Sequence, residues 1–264
     1  MTTVHTLASG SSGNALVLSL DGGHILVDAG ISCLRIRRGL QALGLDLGDL
    51  DGVFITHTHS DHISGLQTLL KHTGCPVCAS PAAGRDLLRR MVLLEDRLQE
   101  AEGTFFVKDC AVAAFPTSHD APGSRGYRFD TPDGGVGLLT DSGFVTAEAQ
   151  DVLPGVALAV LEANHDVEAL RSGPYPYFLK ERILGPEGHL KNEDAAAFAV
   201  TLARAGAREI VLAHLSRENN SPTMALRAVE TALRAAGLSP RLSAAPRDGL
   251  SRAYVLEGGA VCSG

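Results

Sequence analysis

Short apolar runs alternate with helical patterns along the chain. Runs at residues 15–20 and 24–27, joined by an Asp-Gly-Gly turn sequence, predict a β-hairpin. A run at residues 53–56 predicts another strand, and apolar residues at helical spacing between Ile63 and Leu70 predict a helix behind it. The same criteria predict strands at residues 104–107, 112–115, 127–129, 136–139, 156–161, 210–213 and 253–256.

Three capping sequences predict further helices. Ser80 followed by proline predicts an N-cap, with residues 87, 88, 91 and 94 on the apolar face of the helix. Asn192, with two acidic residues directly after it, predicts a second N-cap, and Ser221 followed by proline predicts a third. Strands followed by helices occur in both halves of the chain without a low-complexity linker. The pattern therefore predicts an α/β fold of two stacked β-sheets with outer helices, in which residues 1–264 form a single domain.

Composition excludes several classes of protein. The 264 residues are 45% apolar and 20% charged, which excludes a disordered chain. No apolar run approaches the roughly 20 residues needed to span a bilayer. Residues 1–5 lack the positively charged start of a secretory signal. We therefore expect a cytoplasmic protein with no membrane partner.

Cysteine usage agrees with this expectation. Five cysteines is an odd number, so we expect a reducing compartment rather than a disulfide framework. Cys75 and Cys78 have the C-x-x-C spacing of some zinc and redox sites, but no second pair of metal ligands lies nearby in the sequence. The favoured interpretation is that residues 77 and 78 lie on a short buried strand, with cysteine as a small apolar residue.

The charge balance limits how a polyanion can bind. The 23 basic and 30 acidic residues give a formal net charge of −7, which argues against a broad basic surface. Nucleic acid would have to meet a local positive region. Two arginine clusters, at residues 35, 37 and 38 and at residues 85, 89 and 90, are candidates for such a region, although runs like these are usually solvated helix faces.

The chemistry is concentrated in the sequence His-Thr-His-Ser-Asp-His at residues 57–62, where an apolar strand ends and a helix begins. In an extended segment residues two apart share a side, so His57 and His59 point together. Asp61 and His62 enter the first helical turn. The serine and the aspartate suit a helix start, but no capping or packing argument requires three histidines in six residues. We interpret the segment as a metal-binding motif.

This H-x-H-x-D-H sequence resembles the signature of the metallo-β-lactamase superfamily, and further motifs of that superfamily follow in order. Asp28, in the sequence Leu-Val-Asp-Ala-Gly, resembles the aspartate that supports the site behind the metal ligands. His119, Asp141 and His214, each near the end of an apolar run, resemble the third-motif histidine, the bridging aspartate and the final histidine. Each residue alone would be an ordinary turn or core residue, but their order makes the resemblance specific.

The resemblance implies a fold and a metal centre. The fold is an αββα sandwich, the metallo-β-lactamase fold, in which two mixed β-sheets are flanked by helices and the metals lie at one rim. One metal would be bound by His57, His59, His119 and Asp141, and the other by Asp61, His62, Asp141 and His214. A site of nitrogen and oxygen ligands without cysteine suits two divalent ions per chain, manganese or zinc, or iron.

The ligands alone leave the substrate open. Small-molecule phosphodiesterases and thioester hydrolases of the superfamily share this arrangement. A regulatory protein whose metal site is not catalytic is a further alternative. The interval between Asp141 and His214 is too short for a β-CASP-type insertion, so long RNA substrates held by such a domain are disfavoured.

Four segments narrow the choice by resembling the YycJ/WalJ branch of the superfamily, at residues 9–14, 161–166, 188–195 and 214–220. That resemblance implies a 5′→3′ exonuclease on double-stranded DNA, which acts in mismatch repair with other repair proteins. Lys191 departs from the motif of the branch, in which a serine is expected.

The exonuclease interpretation assigns roles beyond metal binding. A hydroxide shared by two metals about 3.5–4 Å apart would attack the scissile phosphate, with Asp61 orienting it. His189 is predicted to contact the scissile or adjacent phosphate and to donate a proton to the leaving oxygen, and His165 is predicted to support it. The predicted phosphate-binding side chains are Ser11, Ser12, Asn14, Asn164, Lys191, Ser216 and Asn219.

Overall fold

The computed structural model describes residues 1–256, and fourteen strands in this range form two seven-stranded sheets. The first sheet contains β1 (Thr2–Ala8), β2 (Ala15–Leu20), β3 (Gly23–Val27), β4 (Gly52–Phe54), β5 (Val77–Ala79), β6 (Leu98–Glu100) and β14 (Tyr254–Leu256). The second contains β7 (Thr104–Val107), β8 (Cys110–Pro116), β9 (Arg125–Thr131), β10 (Gly134–Leu139), β11 (Leu158–Glu162), β12 (Glu209–Ala213) and β13 (Arg241–Ala244). The helices are α1 (Cys33–Ala42), α2 (Ser60–Ile63), α3 (Leu66–Leu69), α4 (Pro81–Arg90), α5 (Ala147–Val152), α6 (Val167–Ser172), α7 (Tyr177–Leu184), α8 (Asn192–Arg204) and α9 (Pro222–Ala235).

The two sheets share one pattern of pairing. In the first sheet, ordered β14-β1-β2-β3-β4-β5-β6, three antiparallel pairs are followed by three parallel pairs. The second sheet, ordered β7-β8-β9-β10-β11-β12-β13, has the same succession. As a result β3 and β10 occupy equivalent places, where antiparallel pairing changes to parallel pairing.

Apolar side chains fill the space between the sheets. Phe54 on β4 packs edge-on against Tyr127 and Phe129 on β9, with ring centroids 5.5 and 5.6 Å apart. The buried Tyr127 hydroxyl donates to the carbonyl of Ile55 at 2.7 Å, which ties the second sheet to the chain just before the histidine segment. Each sheet also packs against its own helices through one further apolar layer. These layers form an αββα sandwich, and the predicted fold class is confirmed.

Three loops interlock at Gly30, next to the histidine segment. The Gly30 N–H donates to the Asn14 carbonyl, and the Asn14 N–H donates to the Asp61 carbonyl, both at 2.8 Å. A Cβ at Gly30 would lie 1.6 Å from the Asp61 carbonyl oxygen, so only glycine permits this approach. The loop after β3, the Ser-Gly loop before β2 and the histidine segment are thereby fixed to one another.

Most predicted elements are present. β2 and β7 have the predicted bounds, and the other predicted strands have ends that differ by one or two residues. Ser80 and Ser221 are N-caps whose side chains accept backbone hydrogen bonds, as predicted. Cys78 is buried on β5, and the free cysteines of the described range, Cys33, Cys75, Cys78 and Cys110, are all buried. Cys262 lies outside the described residues. Seven elements have no counterpart among the predictions: β1, β6, β13, α1, α5, α6 and α7.

Two predicted helices are shorter than expected. The apolar residues from Ile63 to Leu70 lie on α2 and α3 rather than on one helix, because the Gly65 N–H donates to the Ala29 carbonyl and leaves the helical pattern. α4 ends at Arg90, where the extended backbone of the next residue stops it. Residues 91 and 94 therefore lie beyond its apolar face, and residue 88 is exposed.

The cap predicted at Asn192 is also wrong. Asn192 is the first residue of α8, and Lys191 holds the N-cap place without a side-chain bond. The buried Asn192 amide instead exchanges hydrogen bonds with Asn220, at 3.1 and 2.9 Å. This pairing joins the start of α8 to the loop after β12.

Within residues 1–256, no helix combines the length and the apolar character that crossing a membrane requires.

Candidate metal centre

Functional side chains gather where parallel strands end. Asp28 follows β3, Asp141 follows β10 and His214 follows β12. All three have a left-handed backbone, with φ of 60°, 57° and 54°, which costs a non-glycine residue about 1–2 kcal/mol. The remaining non-glycine residue of this kind in residues 1–256 is Lys108, in the turn between β7 and β8. Strain repeated among neighbouring side chains indicates a functional site.

Three histidines form one cluster. One ring nitrogen each of His57, His59 and His119 lie within 4.8 Å of one another. His119 Nε2 lies 3.2 Å from His59 Nδ1, and His57 Nε2 is buried with no hydrogen-bond partner. Burial, reinforced by neighbouring histidines, lowers the pKa of His57 well below its usual value and also lowers the pKa of His59. Neutral imidazoles this close together present lone pairs that a divalent cation accepts.

One carboxylate and two histidines form a second cluster. Asp61 Oδ2 lies 3.6 Å from both His62 Nε2 and His214 Nε2. Burial disfavours ionisation of Asp61, but His214 and His62 outweigh it and hold the pKa of this carboxyl below its usual range. Burial also disfavours the charged form of His62, but the Asp28 and Asp141 carboxylates outweigh it and raise the pKa of His62 to about 9. Because a ligating imidazole is neutral, metal binding here would release a proton from His62.

Asp141 lies between the two clusters. Its Oδ2 is 3.3 Å from His62 Nε2, and its Oδ1 is 3.8 Å from His119 Nε2. The side chain is buried, and Oδ2 has no hydrogen-bond partner. One buried carboxylate therefore reaches a histidine of each cluster.

The donor set fits divalent metal ions. Three buried atoms of the site lack a hydrogen-bond partner: His57 Nε2, Asp141 Oδ2 and His214 Nε2. A buried polar atom left unpaired costs about 1–3 kcal/mol, so three neighbouring ones mark a place where a cation supplies the missing interaction. Nitrogen and oxygen donors without sulfur suit zinc, manganese or iron.

Asp28 orients a histidine of the second cluster. Its Oδ2 accepts from His62 Nδ1 at 2.7 Å. The same carboxylate accepts from the backbone N–H and the hydroxyl of Thr56, at 2.9 Å each. These bonds fix the His62 ring so that Nε2 faces Asp61 and Asp141.

Asp28→Asn is expected to weaken metal binding by about 10–100-fold in a folded protein, because the carboxylate that fixes the ligating ring becomes an amide. Competition with a chromogenic chelator measures this affinity. Asp130→Asn on β9 is the matched control, since that carboxylate pairs with Arg128 and lies outside the clusters. Unchanged affinity in Asp28→Asn would mean that Thr56 alone orients His62.

A buried carboxylate that the sequence analysis missed completes the site. Glu162 ends β11, and its Oε1 accepts from His189 Nδ1 at 2.8 Å and from His214 Nδ1 at 3.0 Å. The backbone N–H groups of Ser142 and Leu190 donate to its Oε2. Burial opposes ionisation, but His189 and His214 outweigh it and hold the pKa of Glu162 below its usual range. Glu162 thus orients the rings of both His189 and His214.

The two further predicted catalytic histidines differ in exposure. The side chain of His189 is 17% exposed, and its Nδ1 lies 3.6 Å from Asp141 Oδ1. His165 is buried, neither of its ring nitrogens has a hydrogen-bond partner, and burial lowers its pKa to about 4. His189 therefore opens on the site, whereas His165 is a neutral side chain in the wall behind it.

Four of the predicted phosphate-binding residues are exposed or half-buried, and one of them, Asn14, contacts the second cluster. Asn14 Nδ2 is 3.0 Å from His62 Nε2 and 3.5 Å from Asp61 Oδ2. Ser11 and Ser12 are exposed at the tip of the same loop. Lys191 is also partly exposed and pairs with Asp194 at 3.5 Å.

The remaining predicted phosphate-binding residues, Asn164, Ser216 and Asn219, hydrogen-bond within the protein. Asn164 Nδ2 donates to the His214 carbonyl at 2.9 Å. Ser216 Oγ accepts from the backbone N–H and the amide of Asn219, at 3.2 and 3.3 Å. All three side chains are buried, and their hydrogen bonds hold the loop after β12 in place.

Comparison with known proteins identifies the family of this chain. The model of the beta-lactamase superfamily domain matches residues 24–215, from β3 to just beyond His214. The chain belongs to the metallo-β-lactamase superfamily. The prediction of this superfamily, made from the histidine motif and the further motifs at Asp28, His119, Asp141 and His214, is confirmed.

Two relatives within the metallo-β-lactamase superfamily cover most of the chain. Exodeoxyribonuclease WalJ of Streptococcus pneumoniae serotype 2 is 38% identical over 224 residues, which are 83% of each chain. Exodeoxyribonuclease YycJ of Bacillus anthracis is 36% identical over 234 residues, which are 88% of this chain and 89% of that one. The predicted YycJ/WalJ branch and a metal-dependent hydrolase are thereby confirmed.

A solved structure of the superfamily agrees with the fold. The metallo-β-lactamase fold protein YhfI from Bacillus subtilis has a TM-score of 0.71 and 16% identity, and the match covers 95% of this chain and 98% of that one. At this identity the likeness concerns the fold alone.

Proposed function

We propose that the protein is an exodeoxyribonuclease that uses two divalent metal ions to degrade double-stranded DNA from its 5′ ends. The observation that carries the proposal is the position of Asp141 between two clusters of nitrogen and oxygen donors. The similarity to two proteins named exodeoxyribonuclease, over more than four-fifths of the chain, supports DNA as the substrate.

Asp141 would be shared between the metals. The ligands of one metal would be His57, His59, His119 and Asp141, and those of the other would be Asp61, His62, Asp141 and His214. Such ions supply Lewis acidity, which makes water a nucleophile near neutral pH and neutralises charge on the phosphate.

Asp61 positions the attacking water. Its carboxylate is ionised at neutral pH, because the neighbouring His214 and His62 hold its pKa low. The side chain is 22% exposed, so a water at the open side of the cluster can donate a hydrogen bond to Oδ2. Asn14 Nδ2 donates to the Asp61 carbonyl at 3.3 Å and keeps this segment in place.

His189 donates a proton to the leaving oxygen in this proposal. Glu162 accepts from Nδ1 and fixes the direction of the ring. The charged form of His189 then donates from Nε2 to the oxygen that departs from the phosphorus atom, a contribution of about 10²–10⁴-fold to the rate. His165 packs behind this pair.

The direction of degradation follows from the resemblance to the YycJ/WalJ branch. A 5′→3′ exonuclease removes the strand beside an incision, so we place the protein in excision during DNA repair. Its partners there would be the proteins that recognise mismatches, in the cytoplasm.

End-labelled linear duplex DNA should be shortened from its 5′ ends with release of mononucleotides or short oligomers. Closed circular duplex should resist, because an exonuclease requires an end. Gel analysis in the presence of Mn²⁺ or Zn²⁺ checks both results, and removal of metal by a chelator should abolish the activity.

Each contrary result points to a different function. Equal cutting of circular and linear duplexes would indicate an endonuclease. Hydrolysis of a thioester or a small phosphodiester with intact DNA would indicate a small-molecule hydrolase. Full activity of the metal-free protein would contradict the metal-dependent mechanism.

A further inference from the structure

A groove of about 380 Å³ opens beside His59. One wall is the segment after β4, and the other is the exposed side of α4. The residues that matter for its chemistry are Thr58, His59, Arg85, Asp86, Arg89 and Arg90. The groove therefore begins at a candidate metal ligand and runs along three arginines.

Arg90 connects α4, one wall of the groove, to the segment that carries His59. Its guanidinium donates to the Thr58 carbonyl at 3.2 Å and pairs with Asp86 at 2.7 Å. These bonds hold α4 against the residue that precedes His59. A third of the His59 side chain is exposed, so the ligand is open toward the groove.

Arg85 and Arg89 supply positive charge that is not neutralised. They lie four residues apart on α4, so they share a face of the helix, with Cβ atoms about 5–6 Å apart. Both are exposed, and within the described part of the chain neither forms an ion pair. Since Asp86 pairs with Arg90, the groove carries a formal charge of +2 in a chain of net charge −7.

The other arginine cluster, on α1, differs in this respect. Arg35 pairs with Asp248 at 2.9 Å, and Arg37 pairs with Asp46 at 3.0 Å. Carboxylates thus neutralise two of its three charges. The cluster on α4 is the better attractor for a polyanion that must approach an acidic protein.

We propose that the groove beside His59 binds the phosphodiester backbone of DNA leading into the metal centre, with Arg85 and Arg89 each contacting a phosphate. The proposal rests on the proposed exonuclease function and adds the path of the substrate. Guanidinium contacts to phosphates position a strand without reading its sequence, which suits an enzyme that degrades any sequence. Because Arg85 and Arg89 lie four residues apart on α4, each can contact one of two successive phosphates.

The double variant Arg85→Ala, Arg89→Ala tests the groove. Binding of a short fluorescent duplex, protected by phosphorothioate linkages, is measured on the metal-loaded protein between about 50 and 200 mM salt. Loss of two phosphate contacts should weaken binding at least about tenfold at the low end of this range. The slope of log affinity against log salt should become shallower by about 0.9 for each lost contact.

A second double variant controls for the change in net charge. Arg204→Ala, Arg234→Ala removes the same formal charge from the last turns of α8 and α9, and neither arginine lines the groove or belongs to a metal-binding cluster. It should bind the duplex like the unmodified protein. Hydrolysis of bis(p-nitrophenyl) phosphate should be unchanged in both double variants, because this small substrate does not reach along the groove.

The outcomes separate the groove from the proposed function. If Arg85→Ala, Arg89→Ala leaves the affinity and the salt slope unchanged, the groove does not bind DNA, even if the protein degrades DNA. Equal losses toward DNA and the small substrate would indicate a distorted site and also overturn the proposed DNA-binding role of the groove. If DNA binding depends on the groove but the protein leaves unprotected DNA intact, the proposed DNA-binding role of the groove would stand and the proposed exonuclease activity would be wrong.

Discussion

Asp141→Ala is expected to remove metal from both halves of the site. Asp141 contacts His62 of one cluster and His119 of the other, so one substitution takes a ligand from each metal. Replacing a residue that only orients a ligand costs about 10–100-fold in affinity, so losing the shared ligand itself should cost more than about 100-fold at both sites. Elemental analysis after desalting and chelator competition measure the loss, and DNA degradation should fall with it.

A second substitution separates ligation from backbone strain. Asp141 has a φ of 57°, a conformation that asparagine tolerates better than alanine. Asp141→Asn keeps this backbone and the shape of the side chain but removes the charge. Two metals bound with normal affinity in Asp141→Asn would refute the shared position. Losses in both variants, with an unchanged melting temperature of the metal-free Asp141→Asn protein, would support it.

His189→Ala should lower turnover on DNA by about 10²–10⁴-fold while both metals stay bound. The reason is the loss of the proton donor that Glu162 orients toward the leaving oxygen. A substrate with a good leaving group needs less protonation. We therefore expect a much smaller loss toward bis(p-nitrophenyl) phosphate than toward DNA, measured as turnover at saturating substrate.

The same comparison tests whether His189 is a ligand instead. Its Nδ1 belongs to a compact group with Asp141, Glu162 and His214, so a metal-binding role would appear as a lost metal. Equal losses toward DNA and the chromogenic diester, with both metals present, would contradict proton donation. Glu162→Gln should reproduce part of the leaving-group effect, because the ring would keep its place but lose its carboxylate partner. His165→Ala should have a smaller effect than His189→Ala.

Two strands, β2 and β7, are predicted with their observed bounds. Nearly every residue of β2 is buried, so its apolar run is uniform. Residues of β7 alternate between exposed and half-buried, but threonine, phenylalanine and valine all favour a strand. β1 was missed because its threonines and histidine hide the pattern, although His5 and Thr6 are buried between neighbouring strands. α1 was missed because three arginines interrupt its apolar residues, of which only Cys33, Ile36 and Leu40 are buried.

The site was predictable to the extent that its residues are consecutive or match a motif. The histidine segment needed only residue type and spacing, whereas Asp141 was identified by its resemblance to a superfamily motif. Glu162 was not predicted, because a single acidic residue at the end of the apolar run of β11 gives no local indication of the histidines that it contacts in the fold. Those partners, His189 and His214, lie 27 and 52 residues further along the chain. Its position after a run of buried residues, like that of Asp141, is the sign that could have revealed it.

The arrangement of the loops around the metal centre also bears on how the protein folds. Ser9 Oγ accepts from the His214 N–H, which joins residues 205 positions apart. Contacts of such separation form late, because loop closure must come first. The unfolded chain therefore has no assembled site, and metal would bind the native state more tightly than the unfolded chain. At a thousandfold excess of metal over its dissociation constant this linkage adds about 4 kcal/mol to stability. We thus expect the metal supply of the cell to set how long the chain survives proteolysis.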